Sequence, residues 1–271
     1  MNIRLILVVT LGIFLMAGCQ FNQAELPDFT EKPSSEMKDF TIEATFIPKD
    51  ITVVGLGDSL TQGVGDELKK DGYVGRLTEK MKTFEGVREV ELVNLAKRGK
   101  RSDQLLDQLQ SGDLDDVIRK ADFIVMTIGG NDIMRVVKQD FFSLRLDAFQ
   151  KELIRYTKRF NDIMIEIRKQ NPVAPIILMG LYNPFSVVTN QENEFDEIML
   201  NWNQAIDNLT ISDVNACYVP VDDLFNSNDN MVYHTDFFHP NSKGYEQMTN
   251  RIIESLNSCG LNQLTNGEID F

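Results

Sequence analysis

The sequence predicts an α/β fold, in which a parallel sheet of about five strands has helices on both faces. Short apolar runs rich in β-branched residues recur along the chain, and each is followed by a longer stretch with helical periodicity. Alternation of strand and helix is typical of parallel sheets. Ligands bind such sheets at the carboxyl ends of the strands, so the chemistry is expected in the residues that directly follow the apolar runs.

The individual elements follow from these patterns. Ile51 to Leu56 is apolar, β-branched and ended by Gly57, which predicts a buried first strand. The other predicted strands are Glu89 to Leu95, Phe123 to Ile128, Ile176 to Gly180 and Ala216 to Val219. The predicted helices are Tyr73 to Phe84, Ser102 to Gln110, Leu144 to Gln170, Glu194 to Thr210 and Ser242 to Asn257.

The composition excludes several classes of protein. The chain has 271 residues, a formal charge of -14 and 42% apolar residues, which are ordinary values for a soluble folded protein. The acidic balance argues against a nucleic-acid partner, because neutralising phosphates needs many Lys and Arg on one face. Three cysteines and two histidines supply a structural metal centre poorly. We therefore expect no nucleic acid, no metal and no cofactor.

Residues 1–18 have the pattern of an export signal. Arg4 is followed by an apolar run from Leu5 to Ala17, which is too short to span a bilayer comfortably but suits a secretory signal. The segment ends Met16-Ala17-Gly18-Cys19, which resembles the lipobox of bacterial lipoproteins, although Met16 departs from the usual Leu. An ordinary secretory signal is the alternative. The resemblance implies lipidation of Cys19 and anchoring at the extracytoplasmic face of the cell membrane, without a span.

The rest of the chain divides into three parts. Residues 19–49 are rich in charges and prolines and lack a sustained helical period, which predicts a lipid-anchored tether. Within this tether, Phe40 to Phe46 alternates like a strand, and docking of that run on the domain edge would shorten the flexible part. Residues 50–260 form the predicted domain, and residues 261–271 a polar tail.

Polar residues and glycines follow the first three predicted strands. Ser59 comes after the first, where its hydroxyl would lie at the sheet edge beside helix N–H groups; a helix N-cap at Asp58 or Ser59 is the alternative. Gly99, after the second, offers a bare backbone N–H or serves only for its φ angle. Asn131, after the third, offers a side-chain amide or forms an Asn-Asp turn. All three are candidate oxyanion ligands.

A carboxylate and an imidazole lie three residues apart before the last predicted helix. A turn there would put Asp236 beside His239, where the carboxylate can fix the tautomer of the ring and support its charged form. A solvated surface histidine is the alternative. His234 is a rival base, and Asp222 and Asp223 are rival acids.

Together these blocks closely resemble the SGNH, or GDSL, hydrolase family. The family pattern is a Gly-Asp-Ser-Leu block, a loop glycine, a Gly-x-Asn-Asp block and a terminal Asp-x-x-His. The corresponding residues are Gly57 to Leu60, Gly99, Gly129 to Asp132, and Asp236 to His239, over about residues 50 to 257. The resemblance implies a flavodoxin-like, three-layer α/β/α sandwich and hydrolysis of an ester through an acyl-enzyme.

The resemblance also implies a role for each matched residue. Ser59 would be the nucleophile, His239 the base and Asp236 the residue that orients the base. The backbone N–H groups of Ser59 and Gly99 and the side-chain amide of Asn131 would hold the oxyanion. The expected function is therefore a serine esterase or lipase that cleaves acyl esters, including those of lipids or lysophospholipid-like molecules. A deacetylase of cell-wall glycan and a non-catalytic binding lipoprotein are the alternatives.

Two groups of residues are candidates for binding the substrate. Four basic residues flank the loop glycine and would favour an anionic substrate, unless they simply face solvent: Lys97, Arg98, Lys100 and Arg101. Tyr182 and Phe185 follow the fourth predicted strand and could line an acyl pocket or pack in the ordinary way. The oligomeric state cannot be read from the sequence.

The two cysteines beyond the signal, Cys217 and Cys259, leave two possibilities. An exported location permits a disulfide. Cys217 begins a predicted buried strand, however, while Cys259 follows the last predicted helix, so two unpaired thiols are at least as plausible.

Overall fold

Five parallel strands form one sheet in the order β2-β1-β3-β4-β5, which confirms the predicted α/β class. The strands are β1 (Lys49–Gly57), β2 (Val87–Asn94), β3 (Phe123–Thr127), β4 (Ile176–Met179) and β5 (Ala216–Val219). Because β1 pairs with both β2 and β3, the first strand lies inside the sheet with the next two on either side. The carboxyl ends of these three strands therefore meet at one edge.

The computed structural model describes residues 47–139, 146–186, 194–225 and 231–271. The predicted signal, the lipidation site Cys19, the run Phe40 to Phe46 and all but the last residues of the tether lie outside these ranges. Among the described residues, no helix combines the length and apolarity needed to cross a membrane.

Helices cover both faces of the sheet. They are α1 (Ser59–Gln62), α2 (Gly72–Met81), α3 (Ser102–Gln110), α4 (Asp115–Lys120), α5 (Gly130–Gln139), α6 (Leu146–Gln170), α7 (Glu194–Ile211), α8 (Ser242–Cys259) and α9 (Leu261–Leu264), with a 3₁₀ helix at Asp222–Phe225. Neighbouring strand residues alternate between two cores: Val53 packs with α2 and α8, whereas Val54 packs with α3 to α7. This alternation makes the three layers of the predicted sandwich.

One helix near the sheet edge is absent from the sequence prediction. α5 begins within the Gly-Gly-Asn-Asp block, whose composition favours a turn. Ile133, Val136 and Val137 are buried and three to four residues apart, which is the helical spacing that identifies the element. The turn reading of Asn131 is therefore incomplete, because the turn continues directly into a helix.

The predicted polar tail is wrong as a description of residues 261–271. Leu261, Leu264 and Ile269 are buried in the core beside α2 and α8. The backbone N–H of Asp270 donates to the carbonyl of Glu85, and the Glu85 N–H donates back to Asp270. Three apolar residues spaced for a short helix and the turn after it are enough to attach a segment that is polar on average. The folded domain therefore extends past residue 260.

Cys217 and Cys259 form a disulfide, with their Cα atoms 6.0 Å apart. Of the two possibilities that the sequence left open, the disulfide is the correct one. In the sequence, Cys217 belongs to a buried strand and Cys259 follows the last predicted helix, which does not show that they are neighbours. α8, however, runs back across the sheet face, so its last residue lies beside the start of β5.

Candidate active site

Ser59 lies at the turn between β1 and α1, and the local sequence fixes that turn. Gly57 has a φ of +102°, and a Cβ there would lie 1.9 Å from the carbonyl oxygen of Thr127, so only glycine fits against β3. Asp58 caps α1 by accepting the backbone N–H of Leu60 at 3.1 Å. The N-cap alternative is thus correct for Asp58, and it leaves Ser59 free to face the sheet edge.

Ser59, His239 and Asp236 form a continuous hydrogen-bonded chain. The Ser59 hydroxyl lies 3.0 Å from Nε2 of His239, and Nδ1 of His239 lies 2.6 Å from Oδ2 of Asp236. Ser59 and His239 are buried, with 5% and 4% of their surface exposed. An imidazole between a hydroxyl and a carboxylate can accept a proton from one side while the other side holds its orientation.

The Asp236 carboxylate is held in its charged form. Burial raises its pKa, but the hydrogen bond from the ring of His239 and the backbone N–H groups of His239 and Phe238 outweigh burial and lower the pKa to about 2. The carboxylate is therefore ionised at neutral pH and accepts a hydrogen bond from Nδ1–H of His239, which leaves Nε2 to accept the hydrogen bond from the Ser59 hydroxyl.

The loop that carries His239 is attached on two sides. The Tyr182 hydroxyl donates to the carbonyl of Phe238 at 2.7 Å. On the other side, the Ser242 hydroxyl lies 2.7 Å from Asp66, which forms a buried ion pair with Arg76. These contacts connect the loop to the end of β4 and to the segment after α1.

Gly99 and Asn131 reach the same edge from the two strands beside β1. The loop after β2 is tied to β1 where the Lys97 N–H donates to the carbonyl of Gly57 at 2.9 Å. Gly99, two residues later, is exposed and has a φ of +79°. Asn131 lies in the first turn of α5, and its side-chain amide donates to the carbonyl of Lys100 at 3.0 Å. Ser59, the loop that carries Gly99 and Asn131 thus lie at the carboxyl ends of three neighbouring strands.

Comparison with known proteins agrees with this geometry. Residues 56–247 match the GDSL-like Lipase/Acylhydrolase family. The chain belongs to this family. It is 34% identical over 263 residues to the uncharacterized protein YpmR of Bacillus subtilis, across 96% of this chain and 99% of that protein.

Two similar proteins carry a functional description. The spore germination lipase LipC of Bacillus licheniformis is 28% identical over 218 residues, across 77% of this chain and 96% of its own. The crystal structure of the lipase Lip_vut3 from a goat rumen metagenome superposes with a TM-score of 0.64 at 25% identity, covering 79% of this chain and 99% of that one.

A small apolar groove opens beside Ser59 in this GDSL family member. Its apolar lining comes from α1, α5, the segment after β4, α7 and the His239 loop: Leu60, Ile133, Met134, Leu181, Pro184, Phe195, Met199 and Phe238. Tyr182 lines the groove as predicted, with Ser59 and Asn131 at the polar end. Phe185 does not line it but packs edge-on against Phe195, with ring centres 4.9 Å apart.

The four basic residues of the GDSL family member's Gly99 loop do not converge on this groove. Lys100 donates to Gln108, and Arg101 pairs with Asp103 at 3.0 Å. Lys97 and Arg98 are exposed and lie outside the groove lining. A joint site of four cations is therefore wrong, and Lys97 and Arg98 remain the candidates for contact with an anionic substrate.

The rival base and one rival acid have other partners. His234 lies 3.3 Å from Glu67 through Nδ1, outside the hydrogen-bonded chain. Asp223 pairs with Arg251 at 2.6 Å. Asp222 begins the 3₁₀ helix beside it.

Buried polar groups behind the site were not predicted from the sequence. Asp58 is 3% exposed and accepts the hydroxyl of Thr127 at 2.7 Å, and that hydroxyl contacts Thr61, which contacts Tyr73. Burial raises the pKa of Asp58 to about 7 despite these hydrogen bonds. Asp132 is completely buried and contacts Ser102. Both carboxylates adjoin a predicted site residue, which was the available signal.

The family pattern includes no metal ligands. The described ranges contain no cluster of three or more His, Cys, Asp or Glu side chains arranged to hold a metal ion.

Proposed function

We propose that this protein is a serine esterase that cleaves acyl esters through a covalent acyl-enzyme. The observation that carries the proposal is the hydrogen-bonded chain from the Ser59 hydroxyl through His239 to Asp236. An unassisted serine is a weak nucleophile near neutral pH, and a neighbouring base oriented by a carboxylate removes that limitation.

The reaction follows from the positions of these atoms. As the Ser59 hydroxyl attacks the ester carbonyl, its proton passes to Nε2 of His239, and Asp236 stabilises the imidazolium that forms. His239 then donates the proton to the departing alcohol oxygen. In the second half, His239 takes a proton from water, which attacks the acyl carbon. The bond between the acyl group and the Ser59 oxygen then breaks, His239 returns the proton to that oxygen, and the acid is released.

The tetrahedral intermediate carries a negative oxygen that needs donors. The backbone N–H groups of Ser59 and Gly99 and the side-chain amide of Asn131 supply them from three neighbouring strand ends. Removing one such donor commonly lowers kcat by about 10²- to 10³-fold.

The apolar groove supports an ester with a hydrocarbon acyl chain. Its walls combine two flexible methionines, Met134 and Met199, with rigid aromatic side chains such as Phe195. Burying each CH₂ of a chain contributes about 0.8 kcal/mol, so longer acyl groups bind more tightly until the groove is full. The lipase descriptions of two similar proteins agree with this choice.

The proposal is tested by replacing the nucleophile. Ser59→Ala and His239→Ala are each expected to lower hydrolysis of p-nitrophenyl butyrate by about 10⁴-fold or more, and Asn131→Ala by about 10²- to 10³-fold. A fluorophosphonate probe should label the wild-type protein and fail to label Ser59→Ala. The control is Ser255→Ala, a buried serine on α8, which should label normally. Full turnover by Ser59→Ala would refute the assignment.

The acyl preference separates lipid esters from acetylated glycans. We expect kcat/KM to rise from p-nitrophenyl acetate towards the octanoate because most of the groove lining is apolar. A sharp preference for acetate, with release of acetate from acetylated glycan, would replace the lipid-ester assignment by a deacetylase. If the fluorophosphonate probe does not label the protein and no ester is hydrolysed, a non-catalytic binding protein is favoured.

We further propose that the enzyme acts at the outer face of the cell membrane, held by a lipidated Cys19. The support is the Ala17-Gly18-Cys19 ending directly after the apolar run. Such an anchor would place the groove within reach of lipid substrates, at a distance set by residues 19–49.

A further inference from the structure

A buried network of charged side chains lies directly behind the two loops that carry Gly99 and Asn131. At its centre is Asp132, none of whose surface is exposed. Its carboxylate accepts the backbone N–H of Ser102 at 2.9 Å, the Ser102 hydroxyl at 2.7 Å and Nη2 of Arg159 at 3.0 Å. One carboxylate thus joins the first residues of α3 and α5 to the long helix α6.

The position of this carboxylate along the chain is informative. Asp132 directly follows Asn131, and Ser102 lies three residues after Gly99. The Gly99 loop is thus held at both ends, by Lys97 on Gly57 of β1 and by Ser102 on Asp132 of α5. A hydrogen bond from Asn131 to Lys100 closes the gap between the two loops.

The network contains several ion pairs and many hydrogen bonds. Arg159 also donates to the Ser102 hydroxyl at 2.7 Å and to Glu152 at 2.6 Å. Glu152, only 4% exposed, accepts from Arg135 at 2.6 Å. The buried carboxylates of Asp132 and Glu152 therefore contact the guanidiniums of Arg159, Arg135 and Arg155. Buried ion pairs of this kind add little net stability compared with apolar packing, which points to a role other than stability.

We propose that Asp132, Ser102 and Arg159 form a positioning unit that sets the distance between the two oxyanion donors of neighbouring loops, the Gly99 N–H and the Asn131 amide. The inference rests on the proposed ester hydrolysis. Donors must lie about 2.7–3.1 Å from the developing oxyanion, and a 1 Å displacement lowers a rate by about 10²-fold. None of the three residues touches the substrate in this scheme.

The most direct test is Ser102→Ala. This change removes the hydroxyl between Asp132 and Arg159 while keeping the backbone N–H that Asp132 accepts. We expect kcat for p-nitrophenyl butyrate to fall by about 10- to 100-fold, with KM within about twofold of wild type, because the groove is untouched and only the transition state loses stabilisation. The rate of labelling by the fluorophosphonate should fall in parallel.

A matched control separates positioning from general loss of stability. Asn171 is another buried polar hub, 6% exposed, whose side-chain amide donates to the carbonyls of Ile118 and Ala121 at 2.8 Å. It follows α6 at the opposite edge of the sheet. Asn171→Ala should lower the melting temperature while leaving kcat unchanged in the folded protein.

A double-mutant cycle gives a second readout. If Ser102 acts through the oxyanion donors, Ser102→Ala should lower kcat much less in an Asn131→Ala background than in wild type. Arg159→Lys, which keeps the positive charge but loses the fork of donors, covers the case in which Ser102→Ala does not fold. Its kcat should fall while KM stays near the wild-type value.

The outcomes are distinguishable. A folded Ser102→Ala or Arg159→Lys protein with wild-type kcat would overturn the inference and leave the proposed esterase intact. So would equal losses in both backgrounds of the cycle. A wild-type protein that neither labels nor hydrolyses esters would overturn the proposed function, and this inference with it.

Discussion

At the scale of single residues, Asp58 combines two features that conflict: its carboxylate caps a helix, and it is buried without a cationic partner. Its carboxylate caps α1 and thereby fixes the turn that presents Ser59, yet it is 3% exposed and has no cationic partner among its hydrogen bonds. Both hydrogen bonds go to one oxygen, Oδ1. A carboxylate so placed has a pKa raised by burial to about 7, far above the unfolded value of about 3.9.

This difference makes stability depend on pH. Because the folded-state pKa is the higher one, the stabilising contribution is complete below about pH 4 and is lost as the pH rises towards 7. Asp58→Asn keeps Oδ1 as an acceptor and removes the buried charge. We expect the variant to be at least as stable as wild type at pH 8, with a flatter change in the free energy of unfolding between pH 5 and pH 8. Urea denaturation at the two pH values measures it.

The comparison needs an exposed carboxylate as a control. Asp113→Asn on the surface should leave the pH dependence of the wild type unchanged. If Asp58→Asn retains the wild-type slope, another group is responsible for it and Asp58 is ionised throughout.

At the residue scale, the sequence predicted residues that belong to short motifs, but it did not predict residues whose role depends on contacts with distant parts of the chain. Ser59, Asp236 and His239 could be named together because their motifs match the family pattern, and the structure brings them into one hydrogen-bonded chain. The partners of Lys100 and Arg101 could not, since Gln108 and Asp103 lie on the next helix and a charge count does not show pairing.

At the scale of elements, the disulfide joins α8 to β5 at the edge of the sheet farthest from β2. The bond closes a loop with a sequence separation of 42. Such a cross-link restricts the unfolded chain and typically stabilises by about 2–4 kcal/mol. The first turn of α8 is held separately, through Asn241, whose side chain accepts the N–H of Gly244. Losing the disulfide should therefore weaken the fold more than the site.

Cys259→Ser tests this expectation. The free energy of unfolding in urea should fall by about 2–4 kcal/mol, and kcat should stay within about twofold of wild type. Wild type treated with reductant should approach the stability of the variant, whereas the variant should not respond. Two reactive thiols in unreduced, unfolded wild-type protein would contradict the bond.

Element boundaries were predictable where periodicity was strong. β5 and α3 have the predicted bounds, and the long helix α6 ends where expected. α5 and α9 were missed because glycine, asparagine and polar residues dominate their local composition, so the few apolar positions that bury them are diluted. Only the packed core reveals what those positions contact.

At the scale of the whole molecule, the proposed anchor separates location from catalysis. Cys19→Ser should abolish incorporation of labelled fatty acid and move the protein from the membrane fraction to the soluble fraction. Hydrolysis of a soluble ester should be unchanged, because the described catalytic groups lie in residues 47–271.

The labelling experiment can also contradict the proposed anchor. If wild-type protein takes up no label while Ser59 remains reactive, the segment before Cys19 is an ordinary secretory signal and the enzyme is released.

The overall architecture was predictable as a class but not as an arrangement. Alternating strands and helices predict a parallel sheet with two covered faces, as observed. The strand order β2-β1-β3-β4-β5 was not predicted, because the local patterns do not show which strands are neighbours. Long-range pairing, such as that of residues 261–271 with the segment before β2, leaves no local signature in a single sequence.

The distance along the chain between the nucleophile and its base has a consequence for synthesis. Ser59 and His239 are 180 residues apart. At about 5–20 residues per second, a ribosome needs roughly 10–35 s to make the intervening chain. Throughout that interval the serine exists without its proton acceptor. In the proposed mechanism, a chain that ends before His239 has no base for Ser59, so hydrolysis would begin only after the C-terminal part has folded against the first strand.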